Sequence, residues 1–317
     1  MLEFFERYRI PLDDWVQSGV IWLTDHYRPF FQAIKWPIAH TLDGVEDILI
    51  GTPPSIFLIL LFLLVWQFAG VRVATFAICA MLFVGFIGHW KATMTTLSLI
   101  MTAVIFCILI GFPFGVWAAR SNRVEAVIRP VLDIMQTLPG FVYLVPVVML
   151  IGIGNVSGVI VTIVFALPPI IRLTNLGIRE VRGEIIEAAY AFGSSPWQVL
   201  VKCQIPLAMK TIMTGVNQTL MMALSMVVIA SMIAVQGLGL DVLRGIGRLD
   251  MGLATTAGIG IVLLAMILDR TTQAIGKHYR ISGRFRDQGP IGVVRRMLIS
   301  SAKQSVKAGA NRSSILP

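Results

Sequence analysis

The chain has 317 residues, of which 56% are hydrophobic and only 14% charged, with a formal net charge of +9. Soluble domains carry about 25% charged residues, so this composition excludes a soluble fold and points to an integral membrane protein with many spans. The positive charge does not describe a nucleic-acid footprint either, because residues 1–54 hold eight acidic and four basic side chains and the basic excess lies between and after the apolar runs, where membrane topology puts it.

The first segment, "MLEFFERYRIPLDDW", lacks the apolar core and small-residue cleavage site of a signal peptide. Within residues 1–54, Val16, Val20 and Leu23, then Ile34, Ile38, Val45 and Leu49, recur at near-helical spacing, with Trp15, Trp22 and Trp36 among them. That pattern predicts amphipathic helices lying on the outer membrane surface. Residues 55–88 form a 34-residue apolar run, about 51 Å as one helix. Arg72 interrupts it and would otherwise sit in lipid, so the run divides into spans 55–70 and 73–88. Residues 97–119 make a third span. The run 138–171 is again too long for one helix and is divided by "GIGNVSG" at 152–158, giving spans four and five with Pro168 and Pro169 near the end of the second. Spans six and seven cover 208–235 and 252–270. The expected fold is thus all-α: a polytopic transmembrane helical bundle of about seven spans over residues 55–270. The basic tail 271–317 should be solvated near anionic lipid, with Ile291, Val294 and Leu298 spaced for a short interfacial helix.

Counting Lys and Arg sets the orientation. With the N-terminus outside, the inside segments hold 19 of the 26 basic residues, ten of them in the tail from Arg270. The opposite orientation would put that tail outside. The chain is expected in the cytoplasmic (inner) membrane, multi-pass, with its N-terminus outside and its C-terminus cytoplasmic.

Catalytic signatures are missing. Gly276-Lys277 is the nearest approach to a phosphate-binding loop, and Thr271 stands where its first glycine should be. The four histidines are far apart, there is no H-E-x-x-H or G-x-S-x-G, and Cys79, Cys107 and Cys203 are too scattered for a zinc site or a disulfide framework. No catalytic, metal or cofactor residue is assigned, and an enzyme is not supported. Acidic residues such as Asp133, Asp241, Asp250 and Asp269 read as loop or span-end positions, so an ion-driven carrier is disfavoured and the energy source is expected on another chain. Span six is the most polar run, "GVNQTLMMALSMVVIASMIA". Asn217, Gln218 and Ser225 need partners in lipid; they either tie helices together or line a path.

Between spans five and six lie about 35 residues on the basic side. Val181, Ile185, Ala188, Ala189 and Phe192 recur at helical spacing. Gly193 is placed to end that helix. Ser194 or Ser195 can cap a second helix with Pro196 in its first turn, and Pro206 closes it ahead of span six. This knob of two helices is either an exposed docking element or a self-packed loop.

The stretch "EAAYAFGSSPWQVLVKCQIP" resembles the E-A-A-x-x-x-G-x9-I-x-L-P signature of membrane subunits of binding-protein-dependent ABC importers. Glu187, Ala188, Ala189, Gly193 and Pro206 match; Cys203 and Ile205 stand where the family has Ile and Leu. Residues 135–173 and 215–255 look like the permeases of glycine betaine/proline osmoprotectant importers. The resemblance implies a pair of identical subunits in membrane lipid. The 180–206 loop of each would be held by a cytoplasmic ABC ATPase dimer that carries the ATP and Mg, and an extracytoplasmic substrate-binding protein would deliver glycine betaine, proline, choline or a related betaine. A stand-alone channel or secondary carrier is the alternative reading.

Overall fold

The structure, a computed structural model, describes residues 12–278. These form helices and contain no strand. Residues 1–11 and the tail beyond 278, with the segment around Ile291, Val294 and Leu298, lie outside the described residues.

The N-terminal periodicity is realised as one long helix, α1 (Leu12–Gly51), kinked at Tyr27 two residues ahead of Pro29, whose ring and missing N–H disrupt the helical ladder. Past the kink α1 packs on the bundle, with Ile38 and Leu42 buried in the central core. Two polar contacts fix it: Thr95 Oγ1 donates to Glu46 at 2.9 Å and Lys35 Nζ to the Ile151 carbonyl at 3.3 Å. The apolar run 55–88 becomes a hairpin of α2 (Pro54–Ala69) and α3 (Val71–Phe86). It reverses at Gly70, whose φ of +86° suits glycine, next to the arginine that the sequence reading placed at the turn. Phe57 and Trp90 meet edge to face with ring centroids 5.7 Å apart, which brings the start of α2 beside the residues that follow α3. Ala74, Ala77 and Ala80 make the buried face of α3, and Cys79 is exposed on another face rather than buried.

The rest of the bundle comprises α4 (Trp90–Arg120), α5 (Asn122–Thr137), α6 (Leu144–Ile151), α7 (Asn155–Arg179), α8 (Gly183–Ala191), α9 (Pro196–Val199), α10 (Ile205–Ala230), α11 (Leu238–Gly247) and α12 (Met251–His278). The span count differs from the expected seven. By length and apolarity four stretches cross alone, Trp90–Arg120, Asn155–Arg179, Pro196–Ile233 and Met251–Gly276. The number rises to six if two bent pairs count as one span each: Pro29–Gly51 with Pro54–Ala69, bent by 107°, and Asn122–Thr137 with Gly140–Ile151, bent by 104°. Of the three expected spans that fall short alone, the second, α3, stays outside even the six, and the fourth counts only as a bent pair. Its α6 has only eight residues, about 12 Å against the ~30 Å of the hydrocarbon layer, and it is completed only by the amphipathic α5 on the far side of a sharp bend. Helices α2 and α3, at 16 residues each, reach about 24 Å. Span five, by contrast, is longer than expected. Helix α7 continues through Pro168 and Pro169 to Arg179, as neighbours in a membrane bundle permit by enclosing the disrupted turn.

Helix α7 lies between α4 and α10, and glycines set its distance from both. A Cβ on Gly115 would come within 2.6 Å of Thr174 Cβ and 2.9 Å of the Ile171 carbonyl oxygen; one on Gly111 would collide with Ile170. Gly111 and Gly115 form a G-x-x-x-G pair on α4, the small-residue spacing that lets membrane helices approach closely. On the other side Gly215 of α10 faces Leu173 and the Ile170 backbone, and Gly177 of α7 faces Thr211. The central core follows from this contact, with Ile100, Ala103, Cys107, Val159, Ile163, Ala166, Ala223, Met226 and Val227 all buried.

The two ends of the bundle differ. At the end where α4 begins, Thr96 Oγ1 accepts the Leu238 backbone N–H at 2.9 Å and so caps α11, whose own N-cap, Gly237, has no side chain. Asn155 Oδ1 accepts the Gln236 N–H at 2.8 Å. His89 contacts Asp241 of α11 at 3.4 Å and Thr256 of α12 at 3.1 Å. The other end carries the long loop between α7 and α10.

Replacing Gly115 by alanine should force α4 and α7 apart and cost about 1–3 kcal/mol, read as a lower unfolding temperature of the detergent-solubilised protein. Gly44→Ala, where a Cβ meets nothing within 4 Å, should leave that temperature unchanged or slightly raised.

Candidate functional site

The loop of interest begins at Glu180, directly after α7. Helix α8 ends in a Schellman arrangement: the Gly193 N–H donates to the Tyr190 carbonyl at 2.9 Å and the Ser194 N–H to the Ala189 carbonyl at 3.1 Å. Gly193 has φ of +79°, the left-handed value that this cap requires. Ser195 then caps α9, and a reciprocal capping box joins it to Gln198, with Pro196 at the first helical position. The punctuation read from the sequence is therefore present at Gly193, Ser195 and Pro196.

Pro206 behaves differently from the expectation that it closes the second helix. The chain passes from α9 through a π-helical segment, Leu200–Gln204, straight into α10. Proline removes one backbone donor, and the wider π turn accommodates the mismatch without ending the helix. The second arm of the knob is thus the root of a crossing helix. It is anchored by a small cluster of Ile178, Leu200, Ala208 and Ile212, with Phe112, Val116 and Ile205 packed around it.

The apolar stripe expected on α8 is only partly turned inward. Ile185, Ile186 and Ala189 are half-buried, whereas Glu187 and Ala188 are exposed. Phe192 is 90% exposed, Trp197 64% and Tyr190 48%. Three aromatic rings on one short, well-capped loop make a protruding, partly apolar surface rather than a self-packed connector.

The three polar residues of span six separate in the structure. Asn217 turns into the bundle, where its Nδ2 donates to Asp269 Oδ1 of α12 at 3.1 Å. Asp269 also accepts from Gln273 at 2.8 and 2.9 Å. This is a tie between helices, and it places Asp269 inside α12 rather than in a loop. Gln218 and Ser225 lie on the exposed face of α10 together with Thr214 and Met221, a stripe at i, i+4, i+7 and i+11. Ser225 Oγ donates to the Met221 carbonyl at 3.1 Å, which satisfies its proton without a second helix.

A further polar group was not singled out in the sequence. Arg179, the last residue of α7, makes hydrogen bonds to α4, α5 and α7 together. Its signal is the spacing Arg172, Asn175, Arg179 on α7 against Glu125, Arg129, Asp133 on α5, a pair of polar faces at helical period.

The bundle has the fold of a membrane chain of an ABC transporter. A chain of the MetNI methionine ABC transporter, solved in an inward-facing conformation, superposes with a TM-score of 0.54 at 20% identity over 60% of this chain and 95% of that one. The sequence comparisons are more specific. Residues 111–281 match the family of binding-protein-dependent transport system inner membrane components. The glycine betaine/proline betaine transport system permease protein ProW of Escherichia coli (strain K12) is 56% identical over 301 residues, 94% of this chain and 85% of that protein. The glycine betaine/carnitine transport permease protein GbuB of Listeria monocytogenes is 46% identical over 84% of this chain and 96% of its own length. The chain belongs to the family of binding-protein-dependent transport system inner membrane components, as a permease subunit of an ABC importer.

Asp269→Ala should leave Asn217 without its acceptor and lower the stability of the solubilised protein by about 1 kcal/mol, the usual size for an interhelical hydrogen bond in a membrane bundle. Thermal unfolding should show a smaller loss for Asp269→Asn, which retains an acceptor oxygen.

Proposed function

We propose that this chain is one of two identical subunits of an importer for glycine betaine and related betaines or proline, powered by a separate ATPase. The observation that carries the coupling role is the loop: the turn between its two helices is capped on both sides, yet Phe192, Trp197 and Tyr190 stand exposed around Glu187 and Ala188. Apolar rings on a fixed knob gain most when a partner surface covers them. The partner is a cytoplasmic ABC ATPase dimer that supplies ATP and Mg, with Glu187, Ala188, Ala189 and Gly193 at the contact and Pro206 at the root of the knob. The loop end is accordingly cytoplasmic and the N-terminus outside, in keeping with the distribution of Lys and Arg. An extracytoplasmic binding protein would meet the opposite end, where α11 is locked to α4 and α12.

The substrate class rests on the relatives, whose names specify glycine betaine with proline betaine or carnitine. The exposed stripe Thr214, Gln218, Met221 and Ser225 is the path lining of this proposal. Polar side chains on a crossing helix are unfavourable against lipid tails, and pairing two copies about this face would enclose them. Asn217, tied to Asp269, is assigned to holding α10 against α12.

The contact is tested by Glu187→Lys. Uptake of labelled glycine betaine by cells should fall at least about tenfold, the effect of a reversed charge in an interface, while the amount of inserted chain stays constant. Wild-type uptake by this variant would remove the docking role.

A further inference from the structure

Arg179 occupies a singular place in the fold. It ends α7, and four residues later the first helix of the knob begins at Gly183. Its guanidinium uses its donors on three helices at once. Nη2 donates to the Ala118 carbonyl at 2.8 Å, one of the last carbonyls of α4. Nη1 donates to Asn122 Oδ1 at 2.8 Å, the first residue of α5. Nη2 pairs with Glu125 Oε2 at 3.0 Å and Nε donates to Asn175 Oδ1 at 2.8 Å. Asn175 Nδ2 closes the ring by donating to Glu125 Oε1 at 3.1 Å. A planar fork with five donors can hold such a junction; an ammonium group cannot satisfy all of these acceptors in fixed geometry. The charges also suit their positions, a cation at the C-terminal end of α4 and a carboxylate in the first turn of α5.

The junction is only half-buried, with side-chain exposures of 33% for Arg179 and 31% for Glu125. Exposed pairs are individually weak and exchange readily with water, so this is not the cement of the core, which the glycine contacts of α7 provide. The junction lines one part of a crevice of about 340 Å³ between α5 and α7, with Arg129, Arg172 and Asp133 along the rest. Further along the same seam Arg172 pairs with Asp133 at 2.5 Å. Unlike the α4–α7 contact, the polar part of the α5–α7 seam is bridged by ion pairs and hydrogen bonds rather than by interlocked backbones. Helix α5 is moreover the outer arm of the bent pair Asn122–Thr137 and Gly140–Ile151, whose inner arm puts Leu144 and Ile151 into the central core.

We infer that Arg179 is the positioning residue that transmits displacement of the 180–206 loop to the α4–α5 corner, with Glu125 as its acceptor, and thereby links ATPase closure to movement of the broken α5–α6 span. The inference rests on the docking role proposed for the loop. The role of Arg179 is exerted through the helices that it joins.

The test uses the complete complex, permease with its ATPase and binding protein, reconstituted in liposomes, with uptake and ATP hydrolysis measured in the same vesicles. In Arg179→Ala the ATPase should still co-purify and hydrolyse ATP within about twofold of wild type, while substrate moved per ATP falls about tenfold, the upper range for loss of a coupling contact. Glu125→Gln should reduce that ratio by a smaller factor, and Arg179→Lys should recover part of it, since one charge-assisted contact survives. An unchanged ratio in Arg179→Ala, or uptake and hydrolysis falling in parallel in both Arg179→Ala and Glu125→Gln, would overturn the inference, the second result marking a purely structural residue. Co-purification separates the two readings. A complex that retains its ATPase after the aromatic tip is removed by Phe192→Ala and Trp197→Ala together contradicts docking through the loop, whereas retained ATPase with a wild-type ratio in Arg179→Ala contradicts only the transmission role.

Discussion

Everything in this bundle is arranged around the close approach of α7 to its two neighbours. Gly111 and Gly115 admit it on the α4 side and Gly215 on the α10 side, so three crossing helices come nearly to backbone contact at these positions. In lipid there is little hydrophobic drive to bring helices together, and dispersion between closely fitted surfaces carries the association. The resulting unit is stiff. Interiors packed to this degree transmit displacement rather than absorb it, and α7 therefore acts as a strut from the α11 end to the loop.

The two ends of that strut are built for different work. At one end α11 is capped from α4 by Thr96 and held by the His89, Asp241 and Thr256 contacts, which close that end without a long loop. At the other, polar side chains are numerous, half-exposed and joined by ion pairs, and the Gly183–Val199 knob projects beyond them with its aromatic rings uncovered. A rigid strut with one tied end and one presented end is a suitable geometry for a subunit whose energy is supplied from outside. On the proposed function the chain contributes the lever and a partner the ATP chemistry.

The all-α class, the reversal near Arg72 and the capping order Gly193, Ser195, Pro196 were legible because each depends on local chemistry: a charge that lipid rejects, a positive φ, a side-chain oxygen at an N-cap. What could not be read locally depends on neighbours. The continuation of α7 past Pro168 and Pro169 requires enclosing helices, and the passage of α9 into α10 despite Pro206 requires a π turn that has no composition signal. The short α6 looked like part of a full span because apolar content alone does not reveal a bend of 104°. Asn217 and Gln218, adjacent in sequence, point to different surroundings, one toward Asp269 and the other outward. Arg179 is in the sequence only one of the basic residues of the inner side, and its contacts appear only when α4, α5 and α7 meet.

The central claim is that this permease moves its substrate only when a partner turns over ATP at the loop. Flux of labelled glycine betaine into liposomes tests it most directly, comparing vesicles that hold this chain alone with vesicles that also hold its ATPase and binding protein, each with and without ATP. The account predicts background flux from the chain alone and from the complex without ATP, and accumulation against a gradient only when all components and ATP are present. Substrate-specific flux through the isolated chain, indifferent to ATP, would contradict it and leave a channel or carrier in its place.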